Sequence, residues 1–290
     1  MRLATISQDG QPTAALVTDH GVAPVSALRG RDAAHTVRDI IRHPLQDAEV
    51  RLLSAQAREL GDIEWLPPVI PPKNIFCVGK NYLEHVREGA KAEGVPAKVP
   101  EHPIWFTKAH TALTGHRQPI LLDHDLTDHL DYEAELAVVI GRPTFRVSVE
   151  DALSHVFGYT LLNDITARNI QQQRNQWFLG KSANTYAPCG PWIVTADEVP
   201  DPQKLRITSA VNGEERQNGV TRDMLFSVAE LISDLSRSIT LEPGDIIATG
   251  TPQGVAWGMD APRYLEVGDN VSVDIVGLGQ LQNPVVAATR

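Results

Sequence analysis

The chain has 290 residues, 42% of them hydrophobic, enough for a full core in one large domain or in a large and a small one. Its formal net charge of −10 excludes a nucleic-acid surface built on a basic stripe. It leaves anionic substrates open, because a bound cation reverses the local field. Its two cysteines, Cys77 and Cys189, lie outside any CxxC spacing and exclude a disulfide framework.

The first five residues, Met1-Arg2-Leu3-Ala4-Thr5, carry no apolar signal region, and no run nears the about 18 apolar residues of a membrane span. A reducing cytoplasm is the expected compartment. Residues 3–7 and 12–18 read as strands flanking the turn dipeptide Asp9-Gly10. Residues 33–60 read as helix, with Val37, Ile40 and Ile41 at helical spacing and a break at Pro44. Pro67-Pro68 and Pro71-Pro72 then mark a boundary. A small N-terminal α+β domain is expected over 1–70 and the main domain over 71–290.

The main domain reads as strand-rich. The apolar run 136–140 suits a strand buried on both faces, and Asn212-Gly213 closes a hairpin that begins near Leu205. Leu241-Glu242-Pro243-Gly244-Asp245 and Leu265-Glu266-Val267-Gly268-Asp269 form a near-repeat, read as two hairpin entries. Helices are expected at 82–89, 149–153, 164–173 and 227–236. The plan is α+β and β-dominated.

Three groups of residues carry candidate chemistry. In Asp131-Tyr132-Glu133-Ala134-Glu135, strand spacing points Glu133 and Glu135 to one face, with Asp131 available to join them. A solvated acidic edge is the commoner outcome for a Glu-x-Glu pair. Here the apolar run that follows puts the acids at the core rim, where two carboxylates repel unless a cation holds them. Oxygen ligands of this kind suit Mg²⁺, Mn²⁺ or Ca²⁺. A third carboxylate, Asp164, is expected to open a helix as its N-cap, with Arg168 and Gln171 along one face; a surface salt-bridge stripe would have the same spacing. His85 and Glu88 stand one helical turn apart, the arrangement of an imidazole oriented by a carboxylate, though such pairs are more often decorative. The polar, Gly- and Pro-containing stretch from His85 to about Pro103 reads as a mobile flap.

Other motifs fail. Gly180-Lys181-Ser182 resembles the end of a phosphate-binding loop, but Asn175 stands where its first glycine belongs. Gly277 and Gly279 lack a third glycine, which is Gln282. No GxSxG elbow exists, and Cys189 reads as a packed structural thiol rather than a nucleophile.

Taken together, Gly79-Lys80-Asn81-Tyr82 with His85 and Glu88, Phe106-Thr107-Lys108, Asp131 to Leu136, Asn163-Asp164 to Gln171, Phe178 to Ser182, Asn212-Gly213, and Gly244-Asp245 to Val255 resemble the fumarylacetoacetate hydrolase superfamily. The resemblance spans about residues 72–280. It implies a β-roll fold and a homodimer. It implies Mg²⁺ or Mn²⁺ on Glu133, Glu135 and Asp164, and His85 with Glu88 as a water-activating dyad. It further implies Lys181 as the stabiliser of enolate charge, and Arg168, Gln171, Thr251 and Lys108 as substrate contacts. Two departures stand out. Val78 occupies the position, seven residues before the histidine, of a further aspartate ligand in some animal members, and Asn169 replaces the usual aspartate after Arg168.

These parts suit hydrolysis of a C–C bond in an acylpyruvate-type 2,4-dioxo acid. Water deprotonated by His85 would attack the carbonyl, and pyruvate enolate would leave, stabilised by the metal and Lys181. Decarboxylation of oxaloacetate and isomerisation of a 2-hydroxy-dienoate use the same enolate and remain as alternatives. A non-catalytic module binding sugar acids or metal is the rival from another class, and a binder has no use for a water-activating dyad.

Overall fold

The computed structural model describes residues 1–29, 36–59 and 63–289. Its centre is the strand Ala134–Ile140, buried along its whole length. Successive side chains on a strand face opposite ways. Leu136, Val138 and Ile140 enter one apolar cluster, and Ala137 and Val139 enter another. Each fully buried valine or leucine here contributes on the order of 1.5–3 kcal/mol.

This strand belongs to a large mixed sheet. On one side lie Ile246–Ala248, Ile75–Gly79 and Ile104–Lys108. On the other lie Val156–Asn163, Ala187–Thr195 and the N-terminal strands Arg2–Gln8, Gln11–Thr18 and Gly21–Pro24. A second sheet orders Glu214–Val220, Arg206–Val211, Asn270–Ile275, Gly279–Ala287 and Ile120–Leu122. Ile207, Val273 and Leu281 of the second sheet meet Leu136 and Val138 in one cluster, joined by Val228, Ile232 and Leu235 of the helix Val228–Ser236. The opposite face is covered by Val37, Ile40, Ile41 and Leu53. The result is a three-layered, β-dominated α+β fold.

The N-terminal hairpin forms as its sequence predicts, because Asp9 and Gly10 take φ of 53° and 73°, the paired positive values that a tight two-residue turn needs. Arg2 pairs with Val194, so the hairpin extends the main sheet, and Leu3, Ala14 and Leu16 share a cluster with Ile75 and Cys77. The domain boundary proposed at residue 70 separates two segments that share this cluster.

The expected helix over 33–60 divides into Val37–Arg42 and Asp47–Gln56, with Pro44 between them; residues 33–35 and 60 lie outside the described residues. Thr36 and Asp39 cap the first in a reciprocal box. The expected helix at 82–89 runs further, as Leu83–Glu93, so the flap read from His85 is helical for its first half. The near-repeat builds the same turn twice, with Asp245 accepting from the Glu242 amide and Asp269 from the Glu266 amide, 2.8 and 2.9 Å. Only the second opens a hairpin, Asn270–Ile275 with Gly279–Ala287; the first feeds Ile246–Ala248, whose neighbours come from distant segments.

Candidate active site

The C-terminal end of Val156–Asn163 and the start of Ala134–Ile140 meet where two backbones are tied together. The Glu133 amide donates to Asn163 Oδ1 at 2.9 Å, and the Asp164 amide donates to the Glu133 carbonyl at 2.8 Å. Carboxylate oxygens of Glu133, Glu135 and Asp164, all buried, thereby come within 4.8 Å of one another. Asp164 is not a helix N-cap. The short strand Thr166–Ala167 intervenes, and the helix Arg168–Gln172 begins only after it. The strand pairs with Leu130–Asp131, a contact that local spacing could not reveal.

Cations surround two of the three carboxylates. Lys181 Nζ donates to Glu133 Oε2 at 2.8 Å and to Asp164 Oδ2 at 2.7 Å. Lys108 Nζ donates to Asp164 Oδ1 at 2.5 Å and to the Ile165 carbonyl at 3.0 Å. Arg168 pairs with Asp131 through Nε at 2.8 Å and with Glu133 through Nη2 at 2.6 Å. Burial would raise the Glu133 pKa, but Lys181, Arg168 and His85 outweigh it and hold the carboxyl well below its usual range. Burial lowers the Lys181 pKa, yet Asp164 and Glu133 more than restore it. Glu135 differs. Its Oε2 accepts from the Gly250 amide at 2.8 Å, and it has no ion pair among the described residues. Burial, then repulsion from Asp164 and Glu133, pushes its pKa far up. Three converging carboxylates, one of them lacking a countercharge, fit a hard divalent cation.

Beside this cluster opens a cavity of about 510 Å³. His85, Arg168, Gln171, Lys181 and Thr251 line it. Lys108, grouped with the substrate contacts by the resemblance, does not; it is wholly buried behind Asp164 with its ammonium committed there. Gln171 accepts from Arg168 Nη1 at 3.1 Å. The Thr251 hydroxyl donates to the Ala134 carbonyl at 2.9 Å and accepts from Gln217 Nε2 at 2.7 Å.

His85 Nδ1 is buried without a hydrogen-bond partner and stands 3.9 Å from Glu88 Oε1. Glu88 is committed elsewhere, accepting from the Gly254 amide at 2.8 Å and the Val255 amide at 3.2 Å. Both cysteines are buried and free, with burial pushing the Cys189 thiol up to about 12, so neither offers a ready thiolate.

Three supporting residues act through distant contacts, and of these Gln217 carried no signal in the sequence. Gln217 accepts from the Ala134 amide and from Ser209 and donates to Thr251, tying the second sheet to the carboxylate strand. Asn81 donates to the carbonyls of Thr249 and Phe226 and fixes the turn before the His85 helix. Asn169, the departure noted after Arg168, accepts from Thr127 instead.

A model of the fumarylacetoacetate (FAA) hydrolase C-terminal family matches residues 74–286. Oxaloacetate tautomerase YisK of Bacillus subtilis (strain 168) is 48% identical over 215 residues, 74% of this chain and 70% of that protein. The fumarylacetoacetate hydrolase of the psychrophile Exiguobacterium antarcticum superposes with a TM-score of 0.85 at 39% identity, covering 99% of this chain and all of that one. The maleylpyruvate hydrolase of Sphingobium sp. SYK-6, solved with manganese(II) and pyruvate, superposes with a TM-score of 0.80 at 31% identity over the full length of both chains. These named relatives are enzymes. No helix among the described residues is long and apolar enough to cross a membrane.

Proposed function

The chain belongs to the fumarylacetoacetate hydrolase family, and from that premise we propose that it moves a proton between carbon and oxygen in the enol of a small 2-oxo acid, as an enol–keto tautomerase. One observation carries this reading. His85 faces the cavity with Nδ1 unpaired, while Glu88, which would have to orient it for water activation, is held by two backbone amides. An imidazole alone suffices to take up or deliver a proton at carbon. The similarity to an oxaloacetate tautomerase supports the same choice.

In this reading Arg168, Gln171 and Thr251 receive the 2-oxo acid head, and Lys181 offers positive charge to the oxygen that carries the enol. Glu133, Glu135 and Asp164 would hold Mg²⁺ or Mn²⁺, which supplies electrophilic stabilisation of negative charge on that oxygen. His85 transfers the proton at the neighbouring carbon.

The test is the decay of enol oxaloacetate, followed by ultraviolet absorbance with Mn²⁺ or Mg²⁺. The protein should accelerate it, and His85→Ala should remove roughly 10²–10⁴ of that acceleration. Decay at the solvent rate with the wild type would rule the reading out.

Hydrolysis of a C–C bond in a 2,4-dioxo acid is the second reading. It would need a side-chain rotation that closes the 3.9 Å between His85 and Glu88, and a maleylpyruvate hydrolase among the similar structures supports it. Decarboxylation of oxaloacetate would use the same enolate. We also expect a homodimer, which sedimentation at micromolar concentration checks.

A further inference from the structure

Four consecutive backbone amides, those of Gly254, Val255, Ala256 and Trp257, are all taken by two carboxylates from distant parts of the chain. Glu88 accepts from Gly254 at 2.8 Å and from Val255 at 3.2 Å. Asp131 accepts from Ala256 through Oδ1 at 2.8 Å and from Trp257 through Oδ2 at 3.0 Å. Hydrogen bonds to a charged acceptor are about twice as strong as neutral ones, so this short loop is firmly held. Its glycines make room for the arrangement. Gly254 takes φ of 103°, and a Cβ on Gly258 would lie 2.2 Å from Glu88 Oε1.

The two carboxylates connect the loop to different parts of the site. Glu88 lies one turn after His85 on the helix Leu83–Glu93. Asp131 is wholly buried and stands outside the triad of Glu133, Glu135 and Asp164. Its Oδ2 also accepts from Arg168 Nε at 2.8 Å. The two residues meet because Leu130–Asp131 pairs with Thr166–Ala167, and the Arg168 amide donates to the His129 carbonyl at 3.0 Å. With Nε held, the terminal nitrogens of Arg168 are aimed at Gln171 and Glu133, both in the cavity wall. The Trp257 ring lies over the guanidinium, 5.4 Å from its centre, and packs so near the His85 helix that a Cβ on Gly89 would come within 3.2 Å of it. Capping the turn Ala256–Gly258 accounts for the two amide bonds of Asp131 but not for the guanidinium on the same carboxylate.

We infer that Asp131 is a positioning residue. It sets the direction of the Arg168 guanidinium and, through the loop it shares with Glu88, the separation between that guanidinium and His85. A ligand head received by Arg168 is thereby aligned with the group that moves the proton. This rests on the 2-oxo acid reading above, in which Arg168 receives the head, and adds the residue that aligns the two. Such alignment matters because reacting groups must be held in near-attack geometry.

Oxalate with Mg²⁺ is the probe, and neither measurement needs turnover. In the wild type, residue-resolved amide exchange should show the amides of 254–257 slowing together, by about tenfold, although none of them is free to touch the ligand. The Glu242 amide is the control. Asp245 holds it in the same way at the other end of the strand Ala134–Ile140, and its exchange should not change. Slowing confined to Ala256 and Trp257, or no slowing at 254–257 beyond that at Glu242, would overturn the inference. In Asp131→Asn a side-chain amide must face either Arg168 or the loop, donor against donor. Oxalate should then bind roughly tenfold more weakly, read from tryptophan fluorescence, since Trp257 lines the cavity. A merely structural role would lower the folded fraction and leave the oxalate affinity of the remainder unchanged, and that result would also overturn the inference, as would a wild type that binds no oxalate. Should the variant not fold, exchange in the wild type still decides. Failure of the tautomerase reading looks different, as a protein that gives both oxalate results and leaves the enol of oxaloacetate untouched.

Discussion

Glu88 stands 3.9 Å from His85 Nδ1, beyond hydrogen-bond reach, because its carboxylate accepts from the amides of Gly254 and Val255. The pair therefore separates two reactions. For proton transfer at carbon, Glu88→Gln should cost less than about tenfold, because the amide oxygen still accepts one backbone bond, whereas His85→Ala should cost roughly 10²–10⁴. For C–C hydrolysis both variants should fall together. Measuring both substitutions on enol oxaloacetate and on an acylpyruvate decides between them.

The uncompensated charge on Glu135 predicts that divalent cations stabilise the fold. Mn²⁺ or Mg²⁺ at a hundred times its dissociation constant should add about 2.7 kcal/mol. Glu135→Gln should remove most of this cation dependence and leave the chelated protein no less stable than the wild type. Thermal unfolding with chelator and with metal checks it; equal midpoints in both conditions would remove the metal site.

Lys108 is buried with its ammonium against Asp164. Lys108→Met leaves that carboxylate more dependent on Lys181, and breaking a buried pair in this way costs about 3–5 kcal/mol. The chelated protein should show the loss in urea unfolding. A loss under about 1 kcal/mol would mean that Lys181 alone balances Asp164.

His116 predicts a pH dependence far from the site. Burial, then Arg117, pushes its imidazole down from 6.5 to about 4, and its Nδ1 accepts from the Gln282 amide. The folded state therefore favours neutral His116. Its contribution is complete above pH 6.5 and is lost as the pH falls toward 4, by at most about 3.5 kcal/mol at 1.4 kcal/mol per pH unit. Melting curves at pH 7 and pH 5 should converge in His116→Gln relative to the wild type.

Residues 94–103 lie mostly exposed and follow the helix whose Ala92 and Glu93 line the cavity. We expect this segment to gain amide protection when oxalate, a mimic of pyruvate enolate, binds with Mn²⁺. Hydrogen exchange with and without oxalate measures it, and identical protection counts against a flap.

Local chemistry was legible in the sequence, and contacts between distant segments were not. The Asp9-Gly10 turn depends only on residues next to it in the chain. The common direction of Glu133 and Glu135 follows from strand spacing alone. By contrast, Asp164 looked like an N-cap because nothing nearby announces the Thr166–Ala167 strand, whose partner is Leu130–Asp131. Helical spacing brings Glu88 within 3.9 Å of His85, whereas the amides that also hold its carboxylate lie 166 and 167 residues away. Gln217, in the second sheet, gave no sign that it would meet Ala134 and Thr251.

The pairing of Arg2 with Val194 sets an order on the birth of the molecule. The hairpin leaves the ribosome well before the strand it must lie against, which is made almost two hundred residues later. At about 5–20 residues per second the hairpin waits for roughly 10–40 s. Meanwhile Leu3 and Leu16 on one face, and Ile6 and Val17 on the other, stay in water, and one strand edge stays open. Nascent chains of this protein should therefore depend on chaperones more than their modest length suggests. Its folding rate should be governed by the closing of that long loop rather than by any helix.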